Sequence, residues 1–278
     1  MAVLILLLAI VAQMMASASA TITGSRKYMD ADGQARMIFD RFAADLSRMV
    51  KRTDVDYVFD KQNNNDSLFF YSEAPGSFDS NPSAPARSPV SLVGYRINAQ
   101  NQLERLGKGL TWDGTPGGGT GGSPVFLTYP SGSTTPDPLS TIAGNWPALG
   151  TDTNYQILSS QTYRLEIAFL IKPFTDAGGT AQPAVLSNTP WDTRQGHTTV
   201  NGLQDVSAIV VAIAILDDTS RKIVSNTGQM AGALPDSVEA TPIAKTWADS
   251  SFLTGSGLVP AAAGQIRIYQ RYFPLDNR

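Results

Sequence analysis

His197 is the only histidine in the chain, and the chain has no cysteine. The absence of cysteine excludes disulfide staples, thiol nucleophiles and Cys-based zinc sites. A Ser-His-Asp arrangement is open in principle, because Ser and Asp are abundant. The G-x-S-x-G elbow that would present such a serine is absent. His197 sits in the polar run "DTRQGHTT", which reads as a solvated loop. Two tight acidic groups exist, Asp217-Asp218 and Asp30-Ala31-Asp32-Gly33. The first suits a turn. The second suits a helix face, since the other ligands of a calcium loop do not follow it. Gly117, Gly119 and Gly122 match G-x-G-x-x-G, but a dinucleotide site needs a preceding strand and a helix opening at the glycines. Here Pro124 and the strand-like "VFLTY" follow, and no lysine follows to make a P-loop. Trp112, Trp146, Trp191 and Trp247 could line a carbohydrate platform, though such residues more often anchor cores and loops. The residues suggest no catalytic reaction and no enzyme.

The elements tell more than these side chains do. Ala2 to Ala12 is an unbroken apolar run, and Gln13 to Ser25 carries no charge. Val3, Leu4, Ile5, Leu6, Leu7, Leu8, Ile10 and Val11 make this start greasy on every side. From Arg26 the pattern becomes amphipathic. Met37, Ile38, Phe42, Leu46, Met49 and Val50 fall at helical spacings, widened by Ala35, Phe39 and Ala43. Arg36, Asp40, Arg41, Asp45 and Arg48 are expected on the opposite face, with Asp32–Arg36 and Arg41–Asp45 as four-residue pairs. No proline occurs before Pro75, so residues 1–52 read as one long helix, with weak points at Gly24 and Gly33.

The remainder, 53–278, reads as one β-rich, mostly antiparallel domain. Ser67–Ser72 is a strand, and Val90–Asn98 with Leu103–Trp112 forms a hairpin. In "YRLEIAFLI", Tyr163, Leu165, Ile167, Phe169 and Ile171 share one face, with Arg164 and Glu166 on the other. "VSAIVVAIAIL", Val206–Leu216, is apolar on both faces and calls for cover on both sides. The stripe of Ile38, Phe42, Leu46 and Met49 is expected to supply one cover. Gln265–Phe273 closes the list, with Ile266 and Ile268 inward. Long loops are expected over 114–154 and 172–203. The fold class is therefore α+β, a long N-terminal helix packed on a β-rich domain. Net charge is −3 and no basic run suggests nucleic acid.

The greasy start, the small-residue middle and "ARMIFDRFAADLSRMV" ahead of a β-rich body resemble type IV pilin-like proteins. Within them the chain is similar to the J-type minor pseudopilins of type II secretion and to the Verru_Chthon cassette protein C family. Their helix end, an aromatic or aliphatic residue followed by "DL" and a basic residue, is matched by Phe42 to Arg48 with Asp45-Leu46 as the "DL". Further similarity lies in "SLVGYRINAQNQLERLGKGLTW" and "VSAIVVAIAILDDTSRKIV". The resemblance implies a structural subunit of a type IV pilus-like or type II secretion-like filament in bacteria. Its helix would sit in the inner membrane or the filament core, with the β domain periplasmic or extracellular. Its partners would be other pilin or pseudopilin subunits and an inner-membrane assembly platform. It implies no cofactor; some pseudopilins carry a structural calcium, and nothing in the residues places one.

The prepilin cleavage site and the acidic residue five positions after it are absent; position 5 is Ile5. The expectation is that the helix begins before residue 1. The competing expectation is a secreted or surface β-sandwich binding protein with a cleaved signal peptide. Its apolar region would be Val3–Ala12 and its cleavage site Ala18-Ser19-Ala20, although no positive residue precedes the run.

Overall fold

The computed structural model describes residues 2–51, 57–76, 86–112, 154–224, 228–249 and 258–275, and the single positions 55, 142 and 152. The glycine motif at 117–122, the strand-like "VFLTY" and Trp146 lie outside the described residues.

Helix α1 runs unbroken from Ala2 to Ser47, 46 residues, and is therefore about 69 Å long. Gly24 and Gly33 lie within it. The Thr21 and Thr23 hydroxyls donate to the carbonyls of Ser17 and Ser19, at 3.0 and 2.9 Å. These β-branched residues thus satisfy their polar atoms on the helix itself. The helix was expected to reach residue 52 but stops at Ser47. Tertiary pairing takes over there. Met49 forms a bridge with Ser72, the Val50 amide donates to Tyr71 O, and the Ser72 hydroxyl donates to the Asp45 carbonyl in the helix's last turn.

Strands β1 (Tyr57–Asp60), β2 (Ser67–Ser72), β3 (Ala86–Ile97), β4 (Leu103–Trp112) and β5 (Tyr155–Ser159) form one antiparallel sheet in that order. The β3–β4 turn is set by Asn98, whose side-chain oxygen accepts from the Gln100 and Gln102 amides. Across β2 and β3, Phe69 faces Gly94, and a Cβ at 94 would collide with its ring.

The second sheet draws on later strands: β6 (Thr162–Ile171), β9 (Val185–Ser187), β10 (Val206–Ile215) and β11 (Arg267–Pro274), ordered β11-β10-β6-β9. Between β6 and β9, β7 (Phe174–Thr175) and β8 (Ala181–Gln182) make a small hairpin. Short 3-10 turns follow at 193–195 and 199–201. The expected loop over 172–203 is thus ordered into short pieces. Among the described residues of the β10–β11 connection there are four short helices, α2 (Asp218–Ile223), α3 (Gly228–Ala231), α4 (Ile243–Trp247) and α5 (Pro260–Ala263). Asp217 caps α2, its carboxylate accepting from the Thr219 and Ser220 amides.

Three cores result. The main one joins the buried stripe of α1 to the inner faces of both sheets, including Leu68, Phe70, Tyr95, Leu165, Ile167, Ile209 and Ile213. A second lies on the far side of β10, where Val210, Ala212 and Ala214 meet Met230, Leu234, Ile243 and Trp247. The alanines leave room for the indole, whose Nε1 donates to Pro235 O at 2.8 Å. A third covers the outer face of the first sheet, with Ile142 against Phe69, Leu92 and Leu106. Strand β10 is thus apolar on both faces because both faces are covered. The helix and the two antiparallel sheets give an α+β fold.

Candidate functional site

The two halves of α1 have opposite environments. In the first half Val3, Leu4, Leu6, Leu7, Leu8, Ile10 and Val11 are 46–71% exposed. Met14, Met15 and Ile22 are exposed as well. At 100° per residue these positions span about 200° of the circumference, and Ala9, Ala12 and Ala16 fall on the remainder; a helix with no charged face requires an apolar surround. Ala2 to Ser25 holds no charge. That is about 24 residues and ~36 Å, against a hydrocarbon core of about 30 Å. By length and composition the helix can cross a membrane.

In the second half Ala31, Ala35, Ile38, Phe39, Phe42, Leu46 and the following Met49 are buried. The Phe42 ring stacks on Tyr95 with centroids 3.7 Å apart and 18° between planes. Phe273 of β11 meets both Phe39 and Phe42 at 6.0 Å. Met37, expected in the stripe, is 49% exposed. It precedes Ile38 by one residue, a 100° step that carries it off the buried face.

Asp45 corrects the expectation more deeply. Placed on the solvent face by its neighbours in sequence, it is 1% exposed. Arg105 of β4 grips its carboxylate with two bonds, Nε to Oδ2 at 2.6 Å and Nη2 to Oδ1 at 3.0 Å. The Tyr95 hydroxyl donates to Oδ2 at 2.5 Å. Arg41, one turn earlier, stands 3.5 Å from the same oxygen. Burial, and then the Asp45 charge, holds the Tyr95 phenol well above its usual range, so it stays a donor. A planar guanidinium fork on a carboxylate fixes direction as well as distance. The last turn of α1 is thereby keyed to the first sheet. Along its outer side α1 is tied to the second sheet and its flank. Lys27 pairs with Asp217 at 3.0 Å, and the Arg267 guanidinium lies 4.0 Å over the Tyr28 ring. The Tyr269 hydroxyl donates to Asp32, and Arg271 to Asp40. The latter two are exposed and contribute little each.

A second buried polar cluster joins the sheets. Arg164 and Glu166, on the far face of β6, are fully buried. Lys61 binds Glu166, Asp66 at 2.9 Å and the Ser237 hydroxyl at 2.7 Å. Arg164 Nη2 reaches Asp236 at 2.7 Å and Glu166 at 3.0 Å. Burial first, and then Glu166, raises the Asp66 carboxyl to about 7. The cluster ties β6, the β1–β2 loop and the chain before α4 together. Among the described residues no group of three or more acidic or histidine side chains could hold a metal ion.

His197 is not freely solvated. Its Nδ1 lies 2.8 Å from Asp205 Oδ2, and that same oxygen accepts from the Asp192 amide. Asp192 is held in turn by the Arg194 guanidinium. Among the described residues no hydroxyl is bonded to the imidazole, and none completes a Ser-His-Asp relay. Nothing in the sequence marked Asp205 as the partner of His197, or Arg105 as the partner of Asp45.

No protein-family model and no curated protein matches the chain. Among solved structures it is similar to the type IV-like pilin TTHA1219 from Thermus thermophilus, at 13% identity and a TM-score of 0.32. That alignment covers 89% of this chain and 94% of the other.

Proposed function

We propose that the protein is a structural subunit of a membrane-derived filament, a minor pilin or pseudopilin of a type IV pilus-like or type II secretion-like system. One observation carries the reading. A single continuous helix is exposed and apolar through its first half, and its second half is buried in its own domain. The exposed half, Val3 to Val11 and onward to Ser25, sits in the inner membrane before assembly and among like helices afterwards. The buried half, through Ile38, Phe42, Leu46 and Met49, fixes the β domain to it as a rigid head on the periplasmic or extracellular side. Partners are other subunits of the same kind and the membrane platform that assembles them.

Within lipid, helices gain little from burying apolar area against each other, so close packing drives association. The run Ala16-Ser17-Ala18-Ser19-Ala20 offers small side chains for such an approach. Thr21 and Thr23 leave no unsatisfied hydroxyl there.

The test uses the absence of native cysteine. Leu7→Cys and Ala177→Cys chains are oxidised in membranes of the producing cell. Disulfide-linked dimers through position 7, and monomers for position 177, are expected. Monomers at both positions contradict assembly through the helix, and loss of position 7 from the mature chain supports the signal-peptide alternative.

A further inference from the structure

The end of the domain nearest the exposed arm of α1 is built from α2, α5 and the β3–β4 turn. Arg221 of α2 donates to the carbonyls of Asn101 and Gln100 in that turn, at 2.9 and 3.0 Å. Ser19, Thr23 and Lys27 of α1 line one groove with Ser220, Ile223 and Ala261. This foot therefore stands at the level of helix residues 19–27.

Two properties distinguish it. First, it shows apolar side chains to the outside: Ile223 is 47% exposed and Val259 42%. Second, it is basic in a chain of net charge −3. Arg26, Lys27, Arg221, Lys222 and Arg267 gather there against three acids, Asp217, Asp218 and the exposed Asp30 one turn beyond Arg26. Lys27 is paired with Asp217, Arg221 is spent on carbonyls and Arg267 lies over Tyr28. Arg26 and Lys222 are exposed.

A hydrocarbon core takes about 20 helical residues. The uncharged segment of α1 ends at Ser25, so the first charges, Arg26 and Lys27, lie in the headgroup layer, and so does the foot beside them. The geometry points to a lipid-docking foot. Arg26 and Lys222 bind the phosphates of anionic lipids in the bilayer that holds the helix, and Ile223 and Val259 enter the interfacial layer. The inference rests on the membrane reading of α1 given above. Basic side chains with apolar neighbours are the composition that binds an anionic interface. A second copy presenting the same foot would set like charges together.

The full chain, with single cysteines carrying an environment-sensitive fluorophore, is reconstituted at about one copy per vesicle, a dilution that removes mass-action contacts between copies. Vesicles are phosphatidylcholine with or without phosphatidylglycerol, and nitroxide lipids quench at headgroup or mid-chain depth. Probes at Ile223→Cys and Val259→Cys are expected to lose most of their emission to headgroup nitroxides in anionic vesicles. A probe at Ala177→Cys keeps its emission. The pair Arg26→Glu and Lys222→Glu abolishes the loss at 223 while a Val11→Cys probe stays quenched by mid-chain nitroxides. If Val11 is quenched and 223 is not, the foot is overturned and the membrane helix stands. If 223 becomes shielded only when several copies share a vesicle, the foot is a subunit interface and the inference is overturned. If Val11 is not quenched, the membrane reading itself fails and the foot fails with it.

Discussion

Asp45 and Arg105 are joined by two hydrogen bonds in the dry interior, 60 residues apart in sequence, where the last turn of the helix meets the fourth strand. The pair is more an alignment device than a source of net stability, since desolvating two charges offsets much of their attraction. Breaking it from one side is different. Asp45→Ala leaves the Arg105 charge and the Tyr95 hydroxyl buried without their acceptor. A loss of about 3–5 kcal/mol is expected, read from urea unfolding of the full chain in detergent. Tyr95→Phe, which removes one donor and leaves the fork intact, is expected to lose about 1 kcal/mol.

Phe42 and Leu7 test the division of the helix. Phe42→Ala removes a fully buried ring stacked on Tyr95 and is expected to destabilise the domain by about 3–5 kcal/mol. Leu7→Ala touches nothing in the domain and is expected to leave its unfolding midpoint unchanged while weakening retention in membranes. Equal effects of the two substitutions on domain unfolding would contradict separate roles.

The second sheet's polar cluster predicts a pH dependence. Asp66 is raised to about 7 in the folded chain, from about 3.9 unfolded. The folded state therefore holds a proton that the unfolded state has released. Stability from this group is fully present below about pH 4 and is lost as pH rises through about 7, at up to roughly 1.4 kcal/mol per unit. The groups facing it are Lys61 and Glu166, with Arg164 and Asp236 beyond. Asp152, Asp192 and Asp217 are held below the usual carboxylate range, so their contributions are lost only in more acidic solution. Urea unfolding at about pH 5 and about pH 7.5 is expected to show the wild-type chain weaker at the higher pH. The Asp66→Asn chain is expected to lose most of that difference.

Much of this architecture was legible in the order of the residues. The stripe at 38, 42, 46 and 49 has helical spacing, and the two-sided apolar run of β10 demanded cover on both faces. What was not legible are the partners of charges. Asp45, four residues after Arg41 and among charged neighbours, reads as half of a solvent-face pair. Its burial depends on Arg105, which nothing local announces. Glu166 alternates with inward residues on β6 and reads as outward. It is outward from the main core, yet a second layer of short helices closes over it. β1, β7, β8 and β9 are two to four residues long, shorter than a strand needs to show alternation. They exist because neighbouring strands supply the hydrogen bonds. The helix ends at Ser47 for the same reason: the next residues find a better partner in β2 than in another turn.

The central claim is that the apolar first half of α1 belongs to the working protein and lies in the membrane. Arg26 is the first tryptic site in the chain, so the peptide ending there carries the whole uncharged segment. The most direct test is mass spectrometry of the N-terminal peptide from protein left in the membrane pellet after alkaline extraction. The account predicts a peptide that ends at Arg26 and contains Val11 through Ala20. A mature chain that begins at Thr21 and leaves the membrane on extraction would contradict it.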